Sequence, residues 1–342
     1  MCQACSSRTP ALSRRRLLAG LGATAAAMAL PGAAWAAANA SCFAAATLAG
    51  TAVEELRRRP TATDAVVQPP PAPPGAPVTG PLSGVIRRVE LPADTRLVAL
   101  TFDLCQTRGA IAGYDGAIVD YLRAGSVPAT FFAGGLWLAT HRERAAQLVA
   151  DPLFVVGNHS WTHHDLHAAP AATVEKEILT TEAALEETRA AVRATCSHPV
   201  DTVAAPRLFR FPYGSCAPAA AVVANAVGAT VIQWDVVSGD PDGTPAASIV
   251  RAVLGGVRPG SIVVMHANGR GTHTAEALRT IVPRLRAQGY RFVTVDRMLA
   301  AGRAVAAGEC FIERQGDTAR YDRPGGLKLF HALKKAVPAA RG

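Results

Sequence analysis

Two histidines four residues apart, within Gly157-Asn158-His159-Ser160-Trp161-Thr162-His163, are the side chains here best suited to holding a metal. An H-x-x-x-H spacing brings two imidazoles to one face if the segment is helical. Neutral imidazole is also the commonest side-chain metal ligand. Upstream lies Leu100-Thr101-Phe102-Asp103-Leu104-Cys105. Downstream come Phe209-Arg210-Phe211-Pro212-Tyr213-Gly214, then Trp234-Asp235 with Asp240, then Val263-Val264-Met265-His266. Each of these is a weak signal alone, and their order along the chain is what carries information.

Such residues need a scaffold that brings them together. Apolar runs at 97–102, 129–133, 154–157, 208–211, 230–237, 261–266 and 291–295 read as strands. Between them, 118–124, 136–150, 171–195, 217–226, 246–254 and 275–288 read as helices. In the longest, Val174, Ile178, Leu179 and Leu185 oppose Glu175, Glu177, Glu182, Glu186 and Glu187, an amphipathic pattern. Repeated strand–helix alternation predicts a parallel α/β barrel or a doubly wound sheet. Each polar landmark falls at or just after the C-terminal end of an expected strand, where active sites of parallel α/β folds collect.

The flanks read differently. Residues 1–36 have the form of an export signal: Ser13-Arg14-Arg15-Arg16 precedes an apolar run from Leu17 to Leu30, and Ala34-Trp35-Ala36 is a small-x-small cleavage site. The run is shorter than the ~20 residues of a spanning helix. The paired arginines resemble a twin-arginine signal, so the membrane is expected to be a partner only transiently, during export. Asn39-Ala40-Ser41 ahead of Cys42 is a poor lipid-anchor signal. Residues 37–85 read as a tether, with a short helix within 41–59 and then the extended, solvated run Pro69-Pro70-Pro71-Ala72-Pro73-Pro74. The catalytic domain is expected over 86–300, and 301–342 reads as a basic tail with a short helix near Leu327–Lys335.

Composition narrows the function classes. With 49% hydrophobic and 18% charged residues the chain is globular rather than disordered. The first 36 residues hold four arginines and no acid, so the remainder keeps +5 of the +9 net charge. No basic patch interleaved with aromatics accompanies it, so nucleic-acid binding is not indicated. Past the signal remain Cys42, Cys105, Cys196, Cys216 and Cys310. An exported chain, periplasmic or extracellular, meets an oxidising compartment where disulfides persist. An odd number leaves at least one thiol free or paired outside the chain.

The ordered landmarks resemble the polysaccharide deacetylases of the NodB homology type, a carbohydrate esterase family, whose motifs read TFDDG, HSxxH, RxPY, a Trp/Asp motif and an apolar-x-apolar-His motif. The resemblance spans about 95–300 and implies a distorted parallel (β/α) barrel. It implies that His159 and His163 bind a divalent metal, zinc or a similar ion, which polarises an acyl carbonyl and lowers the pKa of water. Asp103 would be the general base, Arg210 its fixed cation, His266 the general acid and Asp240 the carboxylate that orients it. Pro212 and Trp234 would wall the acetyl pocket, and the Tyr213 backbone N–H would face the oxyanion. Trp161 is the one hint of a stacking platform.

The first motif departs from the family. Leu104 stands where the metal-binding second aspartate belongs, Cys105 replaces the glycine and Gln106 the proline; Val237 replaces an aspartate common in the fourth motif. The third protein ligand is therefore open: Asp103 itself, or His164, Asp165 or Cys105, or none in a degenerate binder. The leading expectation is hydrolysis of an N-acetyl group on an envelope or extracellular amino-sugar polymer, with an acylated glycan as partner. Its rivals are a hydrolase of a small non-peptide amide and a glycan-binding protein without turnover. Oligomeric state is not legible.

Overall fold

The computed structural model describes residues 42–51, 66–110, 112–196, 206–308 and Cys310. The signal-like segment and the expected helix near 327–335 lie outside the described residues. Among the described residues ten strands run in chain order: β1 (Val85–Glu90), β2 (Leu97–Leu104), β3 (Ala129–Ala133), β4 (Phe154–Asn158), β5 (Arg207–Phe209), β6 (Ala229–Ile232), β7 (Val236–Val237), β8 (Ser261–His266), β9 (Arg291–Phe292) and β10 (Arg303–Ala307). The helices are α1 (Ala45–Leu48), α2 (Gly116–Ala124), α3 (Gly135–Thr140), α4 (Arg142–Ala150), α5 (Ala171–Thr195), α6 (Pro218–Ala226), α7 (Ala246–Gly256), α8 (Thr274–Ala287) and α9 (Val295–Ala300).

Strands β1-β6-β5-β4-β3-β2-β8 are neighbours in that order, and the ring closes where Arg88 of β1 meets Ser261 of β8. The pairings within the ring are parallel except at that closing seam, which is one antiparallel bridge. This is the distorted α/β barrel that the resemblance implied. β7 flanks β8, β9 pairs with the start of β2, and β10 runs antiparallel along β1.

Side-chain alternation along β2 sorts the core. Val98, Leu100, Phe102 and Leu104 face outward into a cluster with Ile118 and Leu122 of α2, Val253 of α7 and Leu278 and Ile281 of α8. Ala99 faces inward among Ile86, Phe132, Ile232, Trp234, Ile262 and Val264. Asp103 shares the inward parity. Strand β2 is buried on both faces, as a central parallel strand must be, and reads as an almost continuous apolar run for that reason.

Several features differ from the sequence expectation, among them the expected strand over 291–295, which ends at Phe292 before α9 begins at Val295. The expected helix over 136–150 breaks at His141 into α3 and α4, and the expected strand over 230–237 breaks into β6 and β7. The domain extends beyond both expected limits: β1 begins at Val85, and β10, expected as tail, completes the sheet beside β1. The Pro-rich run is extended but is not a free tether over its described residues. Ala72 N–H donates to Leu179 O at 2.9 Å, Gly75 N–H to Val227 O at 2.9 Å and Val78 N–H to Asn225 O at 2.8 Å. A proline-rich strap supplies few backbone donors, and these three find carbonyls at α5 and at the end of α6. At the crossing, a Cβ on Gly228 (φ +87°) would come within 2.8 Å of Gly75 Cα.

The segment 42–51 is also docked. Arg144 donates to the carbonyls of Thr47 at 2.8 Å and Ala49 at 2.9 Å, satisfying acceptors at the end of α1. Disulfides join Cys42 to Cys196 and Cys216 to Cys310, leaving Cys105 free among the described residues. The Cys42 sulfur is thus committed to a disulfide rather than to a lipid anchor. No helix among the described residues is long and apolar enough to cross a membrane.

Candidate active site

The barrel gathers the landmarks at the C-terminal ends of its strands. Asp103 ends the inward face of β2 and lies in register with His266, the last residue of β8. Residues 97–104 and 261–266 are far apart in sequence, and parallel pairing alone makes these two neighbours. His159 follows β4, Arg210 follows β5 and Trp234 follows β6. A cavity of about 410 Å³ opens among them, lined by Asp103, Cys105, His159, His163, Tyr213, Trp234, Asp240 and His266.

Arg210 is fully buried and donates from Nη1 to Asp103 Oδ1 at 2.7 Å. Its Nε donates to Ile232 O at 3.2 Å, and its guanidinium lies 4.0 Å over the Phe132 ring. The pair is a desolvated, hydrogen-bonded ion pair rather than a surface salt bridge, and it fixes the carboxylate facing the cavity.

Asp240 is fully buried beneath His266. Its carboxylate accepts from His266 N–H at 2.7 Å, the His266 ring Nδ1 at 2.9 Å, the Thr274 hydroxyl at 2.8 Å and the Ser238 hydroxyl at 3.0 Å. Burial pulls the His266 imidazole down, but the Asp240 charge and hydrogen bond outweigh it and hold the ring well above its usual range. A histidine so held binds its proton more tightly than a free imidazole, as a general acid must. Ser238 and Thr274 belong to no motif and carry no signal in the sequence; only the fold brings Thr274, at the start of α8, to Asp240.

The two metal-type histidines converge without a helix. Residues 159–166 are a loop, and the chain turns through left-handed conformations at Ser160 (φ +66°) and His163 (φ +54°). The Ser160 hydroxyl accepts from His163 N–H at 3.1 Å, bracing that turn. With Tyr213 (φ +59°), two of the four non-glycine residues at positive φ among the described residues line this cavity, and Ser160 lies in the same loop as His163. Backbone strain of this kind collects where a site over-determines its geometry.

His159 Nδ1 lies 2.9 Å from Arg210 O, a group that only accepts, so Nδ1 carries a proton and Nε2 is the nitrogen left to a metal. His159 Nε2 and His163 Nδ1 are buried with no hydrogen-bond partner. The Cys105 sulfur and one nitrogen from each of these histidines lie within 4.8 Å of one another. Burial pushes the Cys105 thiol up, but the neighbouring His163 and His159 hold it well below its usual range. Orphaned imidazole nitrogens, one ring oriented by a backbone carbonyl and a sulfur beside them make a donor set that fits a divalent cation. His164 and Asp165, the other candidates for a third ligand, are exposed and lie outside this group.

Three expected positions resolve differently. Pro212 is buried and begins the turn that presents Tyr213, but does not line the cavity, whereas Trp234 does. Trp161 is buried, and a Cβ on Gly135 would collide with its indole, so it is packing rather than a stacking platform. Asp235 faces away from the cavity and accepts from Ile262 N–H at 2.9 Å and the Ser261 hydroxyl at 3.0 Å, anchoring the start of β8. The exposed aromatic at the rim is Tyr213, whose ring packs edge-on to His163.

A hydrolytic constellation at the C-terminal mouth of an α/β barrel has close relatives. Residues 90–232 match the family described as Polysaccharide deacetylase. A chitooligosaccharide deacetylase of Bradyrhizobium sp. (strain ANU 289) is 31% identical over 223 residues, 61% of this chain and 94% of the relative. The crystal structure of the Bc1960 peptidoglycan N-acetylglucosamine deacetylase superposes with a TM-score of 0.53 at 26% identity, over 64% of this chain and 93% of that one. BA3943, a CE4 family pseudoenzyme from Bacillus anthracis, superposes with a TM-score of 0.50 at 25% identity, over 66% and 71% of the two chains. The chain belongs to the polysaccharide deacetylase family, hydrolases acting on non-peptide C–N bonds.

Proposed function

We propose that this protein is a metal-assisted deacetylase that removes N-acetyl groups from an amino-sugar polymer of the cell envelope or its surroundings. The observation that carries this reading is the convergence of a charge-fixed carboxylate, a carboxylate-paired histidine and two orphaned imidazoles on one cavity. Acetylated glycans are the partner, in keeping with relatives named for chitooligosaccharide and for peptidoglycan N-acetylglucosamine. The exposed Tyr213 ring at the rim favours an extended sugar chain over a small enclosed amide.

A divalent cation, with zinc our choice, would be held by His159 and His163 and would supply Lewis-acid polarisation of the acetyl carbonyl. Asp103, locked by Arg210, takes a proton from the attacking water as its oxygen bonds to the carbonyl carbon. The Tyr213 backbone N–H faces the developing oxyanion. His266, kept protonated by Asp240, gives its proton to the sugar nitrogen as the C–N bond breaks, releasing acetate and a free amine. Trp234 borders the space for the methyl group.

Leu104 favours a second reading, a glycan binder without turnover, and one relative is itself called a pseudoenzyme. Against it, Asp103 is held by Arg210 and His266 by Asp240, and both Asp103 and His266 line the cavity, the placement a general base and a general acid need. The deciding experiment follows acetate release from chitooligosaccharides and peptidoglycan by the mature protein and by Asp103→Asn. Turnover reduced about 10²–10⁴-fold in the variant supports the enzyme; binding without acetate release by metal-loaded wild type sinks it.

We further propose that residues 1–36 are an export signal and that the protein works in the periplasm or outside the cell. Two disulfides among the described residues accord with an oxidising compartment. Intact-mass analysis of protein from its host tests this, and a chain retaining residues 1–36 in the cytoplasm would refute it.

A further inference from the structure

We propose that Cys105 is the third protein ligand of the metal, so that this chain builds a Cys-His-His centre from Cys105, His159 and His163. The proposal rests on the metal-assisted reading above. The physical cause is the pleat of β2. Asp103 faces inward and Leu104 outward, where it is fully buried in the same outer cluster as Phe102. A carboxylate at position 104 would have to leave that packing to reach the cavity. The strand ends at Leu104, and Cys105, the next residue, turns back to line the cavity.

The alternatives are otherwise engaged. Asp103 Oδ1 is held by Arg210 at 2.7 Å, and its Oδ2 lies 3.6 Å from His159 Nε2. Keeping Asp103 off the metal leaves it free to act on water. One nitrogen of His159 and one of His163 sit within 4.8 Å of the Cys105 sulfur; each ring also has a buried nitrogen without a hydrogen-bond partner, and both residues are more than nine-tenths buried. A thiolate carries the same single negative charge as the carboxylate absent from position 104, so the charge of the donor set is preserved. Its softness changes which metal is preferred: thiolate with imidazole selects zinc over the harder ions that carboxylate ligands accommodate. The same ligation explains why a lone thiol persists in a chain whose other described cysteines are paired.

The test uses full-length mature protein reconstituted with cobalt(II), compared with Cys105→Ser, Cys105→Ala and Cys105→Asp, each checked for folding by circular dichroism. The expected wild type binds one cobalt per chain and shows an intense near-ultraviolet sulfur-to-cobalt charge-transfer band. The band disappears in all three variants. Cys105→Asp keeps stoichiometric metal, and its zinc-over-manganese preference falls relative to wild type. Cobalt bound to wild type without that band, or with a band that survives Cys105→Ala, overturns the thiolate ligand and leaves the metal-assisted reading standing. Wild type that takes up neither cobalt nor zinc overturns both.

Discussion

At the residue scale, the site is built on two carboxylates, each paired with a cation or a histidine, and the Asp103–Arg210 pair cannot be dismantled one partner at a time. Arg210 is fully buried and Asp103 nearly so, 2.7 Å apart. Arg210→Met fills similar volume but strands the carboxylate in the barrel. We expect destabilisation of about 3–5 kcal/mol, because an uncompensated buried charge costs more than the pair contributed. A urea denaturation midpoint unchanged from wild type would contradict this. Asp235 behaves oppositely. Burial pushes its carboxyl up, and hydrogen bonds from Ile262 N–H and Ser261 offset only part of that. Its folded pKa therefore lies above the unfolded value of about 3.9. The folded chain holds the proton more tightly, so stability from this group is fully present below the unfolded pKa. It is lost as pH rises through the folded value. In Asp235→Asn, which keeps an acceptor for Ile262 N–H, stability relative to wild type should climb from about pH 3.5 towards neutrality. The gain is about 1.4 kcal/mol for every tenfold by which folding tightens proton binding at Asp235. Melting temperatures of the two proteins across that range measure it, and a flat difference would show that Asp235 is not perturbed.

At the element scale, strand ends and the loops after them decide what faces the cavity. The apolar run of β2 was readable, and with it the burial of Leu97, Val98, Ala99 and Leu100. The loop after β4 was not. An H-x-x-x-H spacing suggests a helical face, yet His159 and His163 meet through left-handed turns braced by Ser160, which no propensity signals. The Pro-rich strap shows the same limit: composition marked it as extended, and only its docking sites explain why it stays put. Gly228 is the pivot of that docking. Gly228→Ala at φ +87° would carry a Cβ into Gly75. It should cost about 1–2 kcal/mol from backbone strain alone, and should speed proteolysis within the strap. A variant as stable and protease-resistant as wild type would show the strap to be dispensable.

At the scale of the whole molecule, the barrel is closed by sequence-distant strands and held by two cross-links. β10 lines β1 beside the seam, and Cys310 just beyond it is tied to Cys216, a separation of 94 residues. Replacing both cysteines with alanine should cost about 2–4 kcal/mol. Chemical denaturation of the oxidised wild type, the reduced wild type and the double variant would measure it. Equal midpoints for oxidised and reduced protein would remove the disulfides from any account of stability.

How much was legible follows from the range over which each feature is encoded. Strand–helix alternation, the ordered motifs, the odd cysteine and the placing of polar residues at strand ends are local or additive, so the sequence alone determined the α/β barrel class and the hydrolase family. The hydroxyls holding Asp240, the cysteine pairing, and the relegation of Trp161 and Asp235 to packing and anchoring depend on contacts between distant segments. So does the chemistry of Cys105. In sequence it is an odd residue in a damaged motif. One strand's alternation and two left-handed turns, fixed by closure of the barrel, set its sulfur beside two imidazoles that each keep a buried nitrogen without a hydrogen-bond partner.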